Sequence, residues 1–466
     1  MTRDTYNTII NMLRLIVSGT MWENHVYAVG GCVRDIAMGL EPKDIDIVVD
    51  LPNGGVDFAQ WLVDNKHAKK TVAYTNYGTA KVRLADIDDI ELDCCMTRGE
   101  KYTDKNTRNP ITAFAPINED AIRRDLTINA MYHNVSTDEI YDPTGGMEDI
   151  KKHILRTTNA DPNVVFDDDP LRILRVIRFY ARFGWFVDGN TYKAMKAHAD
   201  RLKIISTERV RDEFVKILMS TYGADGVRAL LYDIGAMRYI IPELELCVGM
   251  TQNAYHSGDV AEHTLSVLQW DCGNYEPNVV SRMAALLHDI GKVNARTVGA
   301  DGRVHFYDHE FIGSKMCEYI MRRLCFDNKT IDKVAFLVKN HMRTKSAGDD
   351  CAKMKDKTFN KLTYECGDMQ TFEMLARLIE CDNMSHAKEH CIRGQYVSLV
   401  STARDHNMFG YKLPVNGNDV CNILGIAPSS SVKDILDILI KRAFSKPEVT
   451  RDECIAIIKS TKIKNN

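Results

Sequence analysis

No stretch of the 466 residues stays apolar long enough to span a bilayer. The opening Met1-Thr2-Arg3-Asp4-Thr5-Tyr6 also lacks the apolar run of a secretory signal. A membrane role is excluded and a cytoplasmic location is expected. The 13 cysteines are scattered, odd in number and contain no C-x-x-C pair, which excludes a disulfide framework and a thiolate zinc site. They read as reduced thiols. There is no internal repeat and no low-complexity tract. Excess positive charge is missing too: the formal net charge of −4 excludes a protein that coats nucleic acid indiscriminately, while leaving room for a local basic face.

What is present describes a globular chain, 45% apolar and 27% charged, whose length predicts two to four domains. Up to about residue 149, short apolar runs such as Tyr27-Ala28-Val29 and Ile45-Asp46-Ile47-Val48-Val49 alternate with Gly30-Gly31, Gly54-Gly55 and Gly145-Gly146, the pattern of a small α/β unit. From 150 to 245 the spacing turns helical, as in Leu171, Leu174, Ile177 and Tyr180, with no strand expected. The remainder also reads as helical, with breaks between Pro242 and Asp259 and at 346–350, and a frayed tail at 462–466. Between Lys151 and Lys216 stand fourteen Lys or Arg against nine Asp or Glu. That basic stretch suits the phosphates of an RNA.

The most informative segment is Gly30-Gly31-Cys32-Val33-Arg34-Asp35 followed by Asp44-Ile45-Asp46. Adjacent glycines let backbone approach a phosphate, and a helix N-terminus behind them adds amide donors. Asp44 and Asp46, two apart on an expected strand, should project from one face, where they could hold two magnesium ions. Attack of a 3′-hydroxyl on an α-phosphate needs that charge neutralisation. Asp93, in Glu91-Leu92-Asp93, is the candidate third carboxylate. Farther on, Asp169 and Arg172 lie three apart on an expected helix and would present an acceptor beside a donor fork. Such a pair matches cytosine and adenine, each with an exocyclic amine next to a ring-nitrogen acceptor, and cannot equally serve uracil or guanine.

These segments resemble the head of class II tRNA nucleotidyltransferases and the related bacterial poly(A) polymerases, within the polymerase-β superfamily. Tyr77-Gly78-Thr79, Asp93 with Arg98, Arg123-Arg124-Asp125-Leu126-Thr127-Ile128-Asn129-Ala130, Asp142-Pro143, Asp168-Asp169-Pro170-Leu171-Arg172-Ile173-Leu174-Arg175 and Glu208-Arg209-Val210 follow in the family's order, across the first half of the chain. The resemblance implies that Asp169 and Arg172 act as a protein template and that Arg124 and Asp125 contact the nucleotide's phosphate or sugar. It also implies nucleotide-binding roles for Gly30, Gly31, Arg34, Arg98, Asn129, Arg175 and Arg178.

A second constellation comprises His263, His288-Asp289, His309, His341 and Asp382. Arg282-Met283-Ala284-Ala285-Leu286-Leu287-His288-Asp289-Ile290-Gly291-Lys292 resembles the signature helix of the HD superfamily. By that resemblance His263, His288, Asp289 and Asp382 would ligate one metal, and His309 and His341 a second. Imidazoles and carboxylates suit a first-row divalent ion such as Ni2+, Mn2+ or Co2+, whose bound water can attack a phosphate ester. Lys292 is placed to meet the substrate phosphate. His256, His386 and His390 read as surface or structural.

The expected fold class is therefore α+β: a polymerase-β-like head (1–149), a helical neck and body for nucleotide selection and tRNA binding (150–245), an all-α HD domain (246–400) and a helical C-terminal region with no assigned role (401–466). The expected activity is template-independent addition of CCA to a tRNA acceptor end from CTP and ATP, with a phosphohydrolase behind it. Poly(A) polymerase, A-only or CC-only addition and a non-catalytic RNA-binding role are the alternatives. An alarmone or protein-modifying enzyme would lack the Arg-Arg-Asp and Asp-Asp-Pro-Leu-Arg blocks. Nothing in the sequence sets an oligomeric state.

Overall fold

The computed structural model describes residues 1–74, 78–85, 90–101, 111–252, 258–300, 302–344 and 354–461, side chains excepted at Tyr74, Glu100, Lys101 and Ile111. Tyr77, His256, the break at 346–350 and the tail at 462–466 lie outside the described residues. The chain divides into two compact units, Met1–Pro242 and Glu243–Asn466. None of the described helices is long and apolar enough to cross a membrane.

The first unit opens with α1 (Arg3–Val17), whose Tyr6, Ile9, Ile10, Leu13 and Val17 recur at helical spacing and are all buried. Its strands are β1 (Val26–Val29), β2 (Ile45–Val49), β3 (Ala68–Tyr74), β4 (Thr79–Leu84), β5 (Glu91–Met96), β6 (Arg98–Lys101), β7 (Ile111–Phe114), β8 (Tyr132–Asn134) and β9 (Ile140–Tyr141). Seven of them form one mixed sheet in the order β3-β4-β5-β2-β1-β8-β9, while β6 and β7 pair separately. Only β2 and β5 run parallel within the large sheet, and between them lies the crossover helix α3 (Gly54–Asp64).

Alternation along each strand divides the sheet's two faces. Ile45, Ile47 and Val49 point to the face covered by α1 and α3, in a core with Phe58, Leu62, Val82 and Leu92. Val29 and Val48 point to the other face, packed with Ala121, Tyr132 and Ile117 of the segment around α4 (Ile117–Ile122). Asp46 shares that second face. Helix α2 (Gly31–Ala37) leaves the end of β1 directly beside it.

Helices follow: α5 (Gly146–Lys152), α6 (Pro162–Asp168), α7 (Leu171–Phe183), α8 (Gly189–His198), α9 (Thr207–Leu218) and α10 (Gly223–Arg228). This region is not strand-free: β10 (Ile154–Leu155) and β11 (Phe186–Val187) pair in parallel. Two-residue strands are too short to leave a periodic trace in the sequence.

The chain divides within α11 (Pro242–Glu245). The second unit carries α12 (Val260–Asn274), α13 (Val279–Leu287), α14 (Lys292–Ala295), α15 (His309–Arg323), α16 (Asn328–Asn340), α17 (Asp356–Cys366), α18 (Met369–Met384) and α19 (Gln395–Asp405). A hairpin, β12 (Arg296–Val298) with β13 (Val304–Phe306), is added to its helices. Three last helices, α20 (Gly417–Leu424), α21 (Ser430–Ala443) and α22 (Arg451–Ser460), close a separate small core around Val420, Ile435, Leu439 and Ile458. Two expected boundaries fall inside helices, 149/150 within α5 and 400/401 within α19.

Candidate functional site

Gly30 ends β1 with φ +76°, a conformation that disfavours any Cβ, and an added Cβ would stand 3.7 Å from both Arg124 and the Asn129 carbonyl. The chain then turns into α2 and buries Arg34. That guanidinium donates to Asp35 at 2.9 and 2.7 Å and to Asn129 at 2.6 Å, and lies 5.0 Å from the Phe179 ring centroid.

Asp46 is half-buried in β2, in register with Asp93 of β5 and Val29 of β1. Burial, then repulsion from Asp44 and Asp93, pushes its carboxyl up to about 6. Asp44 departs from expectation. It is exposed and precedes the strand, whose pairing starts at Ile45, so it is not fixed by the pleat. Asp93 stands on β5 and faces Lys81, its register partner on β4, at 2.9 Å. Among the described residues, the close metal-binding groupings both lie in the second unit, and Asp44, Asp46 and Asp93 do not converge as tightly.

Behind these carboxylates lies an acid absent from the sequence reading. Asp120 is wholly buried and accepts from Arg123 at 2.6 Å, Arg124 at 2.9 Å, the Tyr132 hydroxyl at 2.7 Å and the Arg98 amide at 3.1 Å. Burial alone would raise its carboxyl; Arg124 and Arg123 hold it at about 2. Arg123 and Arg124, held in this way, line the same cavities as Asp46.

Helix α7 supplies a comb of guanidinium groups at 172, 175, 178 and 182, a spacing that shares one helical face. Each has an acidic or carbonyl anchor. Arg175 pairs with Asp125 at 2.6 Å, Arg178 with Glu213 at 2.8 Å and Arg182 with Asp35 at 3.3 Å, while Arg172 donates to the Val165 carbonyl at 3.2 Å. Asp125 also accepts from Asn129 and the Leu126 amide, and against its burial Arg175 draws the carboxyl far below the usual range. The buried Asp125 thus orients Arg175.

The expected Asp169–Arg172 pair on a single helix is not found. Asp169 caps the end of α6 with φ −142° and ψ 101°, and α7 begins at Leu171. Pro170 is the reason, since the residue before a proline is pushed out of the helical region. Both side chains nevertheless line one cavity of about 850 Å³, together with Gly30, Arg34, Asp46 and Arg124. Arg182, Lys216 and Phe179 also line it and were not named from sequence, and so does Arg209, which was matched in the Glu208-Arg209-Val210 block but given no role. For Arg182 the signal was available, as the fourth member of the α7 spacing. A second cavity of about 430 Å³ adjoins Asp46, Asp93, Arg98, Lys81 and Arg124.

In the second unit, α12, α13, α15, α16 and α18 bring six buried residues together. His263 lies 3.0 Å from Asp382 and 3.4 Å from His288, while His309 and His341 lie 3.3 and 4.0 Å from Asp289. Their donor atoms form two sets, His263/His288/Asp382 and Asp289/His309/His341, and Asp289 also lies 3.2 Å from His288. The Nδ1 atoms of His288, His309 and His341 face the carbonyls of Ala285, Phe306 and Val338 at 2.9, 2.9 and 2.6 Å, which directs Nε2 inward. Nε2 of His309 and of His341 is buried with no hydrogen-bond partner.

Burial, then the His288 charge, lowers His341 to about 3, so it is neutral and able to ligate at pH 7. Against burial, Lys292 and His288 hold Asp289 well below the carboxylate range. Converging imidazoles, orphaned Nε2 atoms and two carboxylates fit a divalent ion. Gly291 is required by packing: a Cβ there would fall 2.0 Å from the His309 carbonyl. Lys292 is tied at 2.6 Å to both Asp289 and Gln252. His386 is closer to this cluster than a surface role implies, stacked on His263 and 3.6 Å from Asp382.

A glycine turn on an arginine-lined cavity, an aspartate strand and an arginine-faced helix define a nucleotidyltransferase of the polymerase-β type. The family model for the Poly A polymerase head domain matches residues 26–156, that for the probable RNA and SrmB-binding site of polymerase A matches 185–247, and the HD domain model matches 254–394. The Multifunctional CCA protein of Azoarcus sp. (strain BH72) is 30% identical over 386 residues, covering 78% of this chain and 84% of that one. An A-adding tRNA nucleotidyltransferase from Deinococcus radiodurans is 33% identical, covering 69% of each chain. The solved Bacillus stearothermophilus CCA-adding enzyme in complex with CTP shares the fold, with a TM-score of 0.67 over 98% of both chains at 20% identity. This chain belongs to the class II tRNA nucleotidyltransferases, the CCA-adding enzyme family, in its bacterial form with a C-terminal HD domain.

Proposed function

We propose that this enzyme adds C, C and A in turn to the 3′ end of tRNA from CTP and ATP, and that its HD domain hydrolyses a phosphate ester of the 2′,3′-cyclic or monoester type. The carrying observation is the shared cavity, where the α7 arginines face Gly30 and Asp46. In this reading the head reaches to about residue 149, the neck and body to 245 and the HD domain to 400, with a helical C-terminal region beyond.

Arg124 and Arg175, each oriented by a buried aspartate, would bind the triphosphate, with Gly30 and Gly31 giving it room and Arg34, Arg98, Asn129 and Arg178 completing the wall. Asp169 would accept from the exocyclic amine of C or A while Arg172 donates to the ring nitrogen. The tRNA 3′-oxygen then bonds to the α-phosphorus as the bond to pyrophosphate breaks. Magnesium held by Asp44 and Asp46, with Asp93 nearby, would neutralise charge on the attacking and leaving oxygens. The repulsion that raises Asp46 favours such a cation. In the HD domain, Ni2+, Mn2+ or Co2+ on His263, His288, Asp289, His309, His341 and Asp382 would supply an acidified water. Lys292 is placed to bind the phosphate.

The test is incubation of purified protein with tRNA lacking its 3′ terminus, each NTP supplied singly and in pairs, and sequencing of the ends. Complete CCA ends from CTP plus ATP are expected. The Deinococcus radiodurans relative motivates a second reading, A addition alone, which would extend only tRNA already ending in CC. Long A tracts would instead indicate poly(A) polymerase.

A further inference from the structure

We infer that Arg209 is a positioning residue for base selection: it fixes the Asp169 carboxylate as an acceptor, so that rejection of uracil and guanine rests on three residues from three elements. The inference rests on the reading of Asp169 and Arg172 as the base-selecting pair.

Asp169 is the member of that pair with no helix to hold it. It sits in extended backbone between α6 and α7, at φ −142° and ψ 101°. Its side chain is fixed by two contacts instead. Oδ1 accepts from the Leu171 amide at 3.1 Å, and Oδ2 accepts from Arg209 at 2.8 Å. Arg209 stands in the first turn of α9, forty residues along the chain, and lines the same cavity as Asp169 and Arg172.

A carboxylate offers about four lone-pair sites on its two oxygens. One donor on each oxygen sets its plane and leaves acceptor positions for an exocyclic amine. Without Arg209 the Oδ2 side could turn away, and a base carbonyl at O4 of uracil or O6 of guanine would meet less repulsion. The ion pair also occupies Arg209. A loose guanidinium there would donate to those same carbonyls and reward the wrong bases. Arg172 is constrained separately by the Val165 carbonyl at 3.2 Å, so acceptor and donor are held by different parts of the fold.

The experiment uses the full-length enzyme as wild type, Arg209→Ala, Arg209→Lys and Asp169→Ala, with CCA-less tRNA and all four NTPs in competition, followed by sequencing of product ends. Arg209→Ala should lose about 10-fold or more in selectivity for C and A over U and G, through a raised KM for CTP and ATP with kcat changed less. Arg209→Lys should recover part of the loss, since an ammonium can pair with Asp169 but lacks the planar fork. An Arg209→Ala enzyme slowed equally for all four nucleotides, its selectivity unchanged, would overturn the inference and make the contact structural. If Asp169→Ala relaxes selectivity while Arg209→Ala does not, only the positioning role falls. Unchanged selectivity in Asp169→Ala removes the base-selecting pair itself, and the inference with it.

Discussion

Replacing Asp46 with Asn should stabilise the metal-free protein while abolishing nucleotide addition. Asp46 is half-buried and crowded by Asp44 and Asp93, and its carboxyl rises from 3.8 to about 6 in the fold. A raised acid favours the folded state where it is protonated, so this contribution is complete below about pH 4. It is lost as pH rises through about 6, beyond which the unfolded chain ionises freely and the folded one pays for a confined charge. Two pKa units correspond to about 3 kcal/mol, discounted to about 2 kcal/mol because the site is partly open to water. Asn keeps the shape and removes the charge. Urea unfolding in chelator can be followed by tryptophan fluorescence, since Trp22, Trp61 and Trp185 lie in the first unit. At pH 8 the Asn variant should be more stable by about 2 kcal/mol, and at pH 4 the two proteins should converge. Magnesium should close the gap by stabilising only wild type. A variant that at pH 8 in chelator is no more stable than wild type would refute the account of Asp46 as an electrostatically strained carboxylate.

Asp120→Ala should cost about 3–5 kcal/mol, because it leaves Arg123 and Arg124 partly buried without their shared counter-ion; a urea midpoint near that of wild type would contradict it. Arg172→Ala should relax discrimination between C or A and U or G or collapse incorporation, as read by four-NTP competition. His288→Ala should remove metal-dependent hydrolysis of a 2′,3′-cyclic phosphate and leave CCA addition in place, with both reactions assayed on the same preparation. Gly291→Ala should destabilise the second unit by about 3 kcal/mol or more and scatter the His309 position, visible as lost metal stoichiometry; normal metal content would show that the backbone can yield there.

Local spacing in the sequence carried much of both sites. Gly30-Gly31, Asp46, the α7 arginines and His288-Asp289 are legible because their geometry follows from a turn, a strand alternation and a helical period, all set within a few residues. The break at Asp169 was legible too, since Pro170 excludes its predecessor from a helix, and the i,i+3 pattern concealed it. Other features had no local signal. Asp120 looks like any surface acid of an α4 turn until Arg98, Arg123, Arg124 and Tyr132 close over it. Lys81 meets Asp93 only through strand register, and Arg209 meets Asp169 only because α9 packs beside α7. His263 and Asp382 are 119 residues apart and become neighbours through the packing of α12 on α18. The sequence alone determined which chemical groups were available and which short elements presented them. The tertiary structure decided which charges were neutralised, which imidazole nitrogens were left unpartnered and which side chains shared a cavity, because burial and long-range pairing exist only once those elements pack.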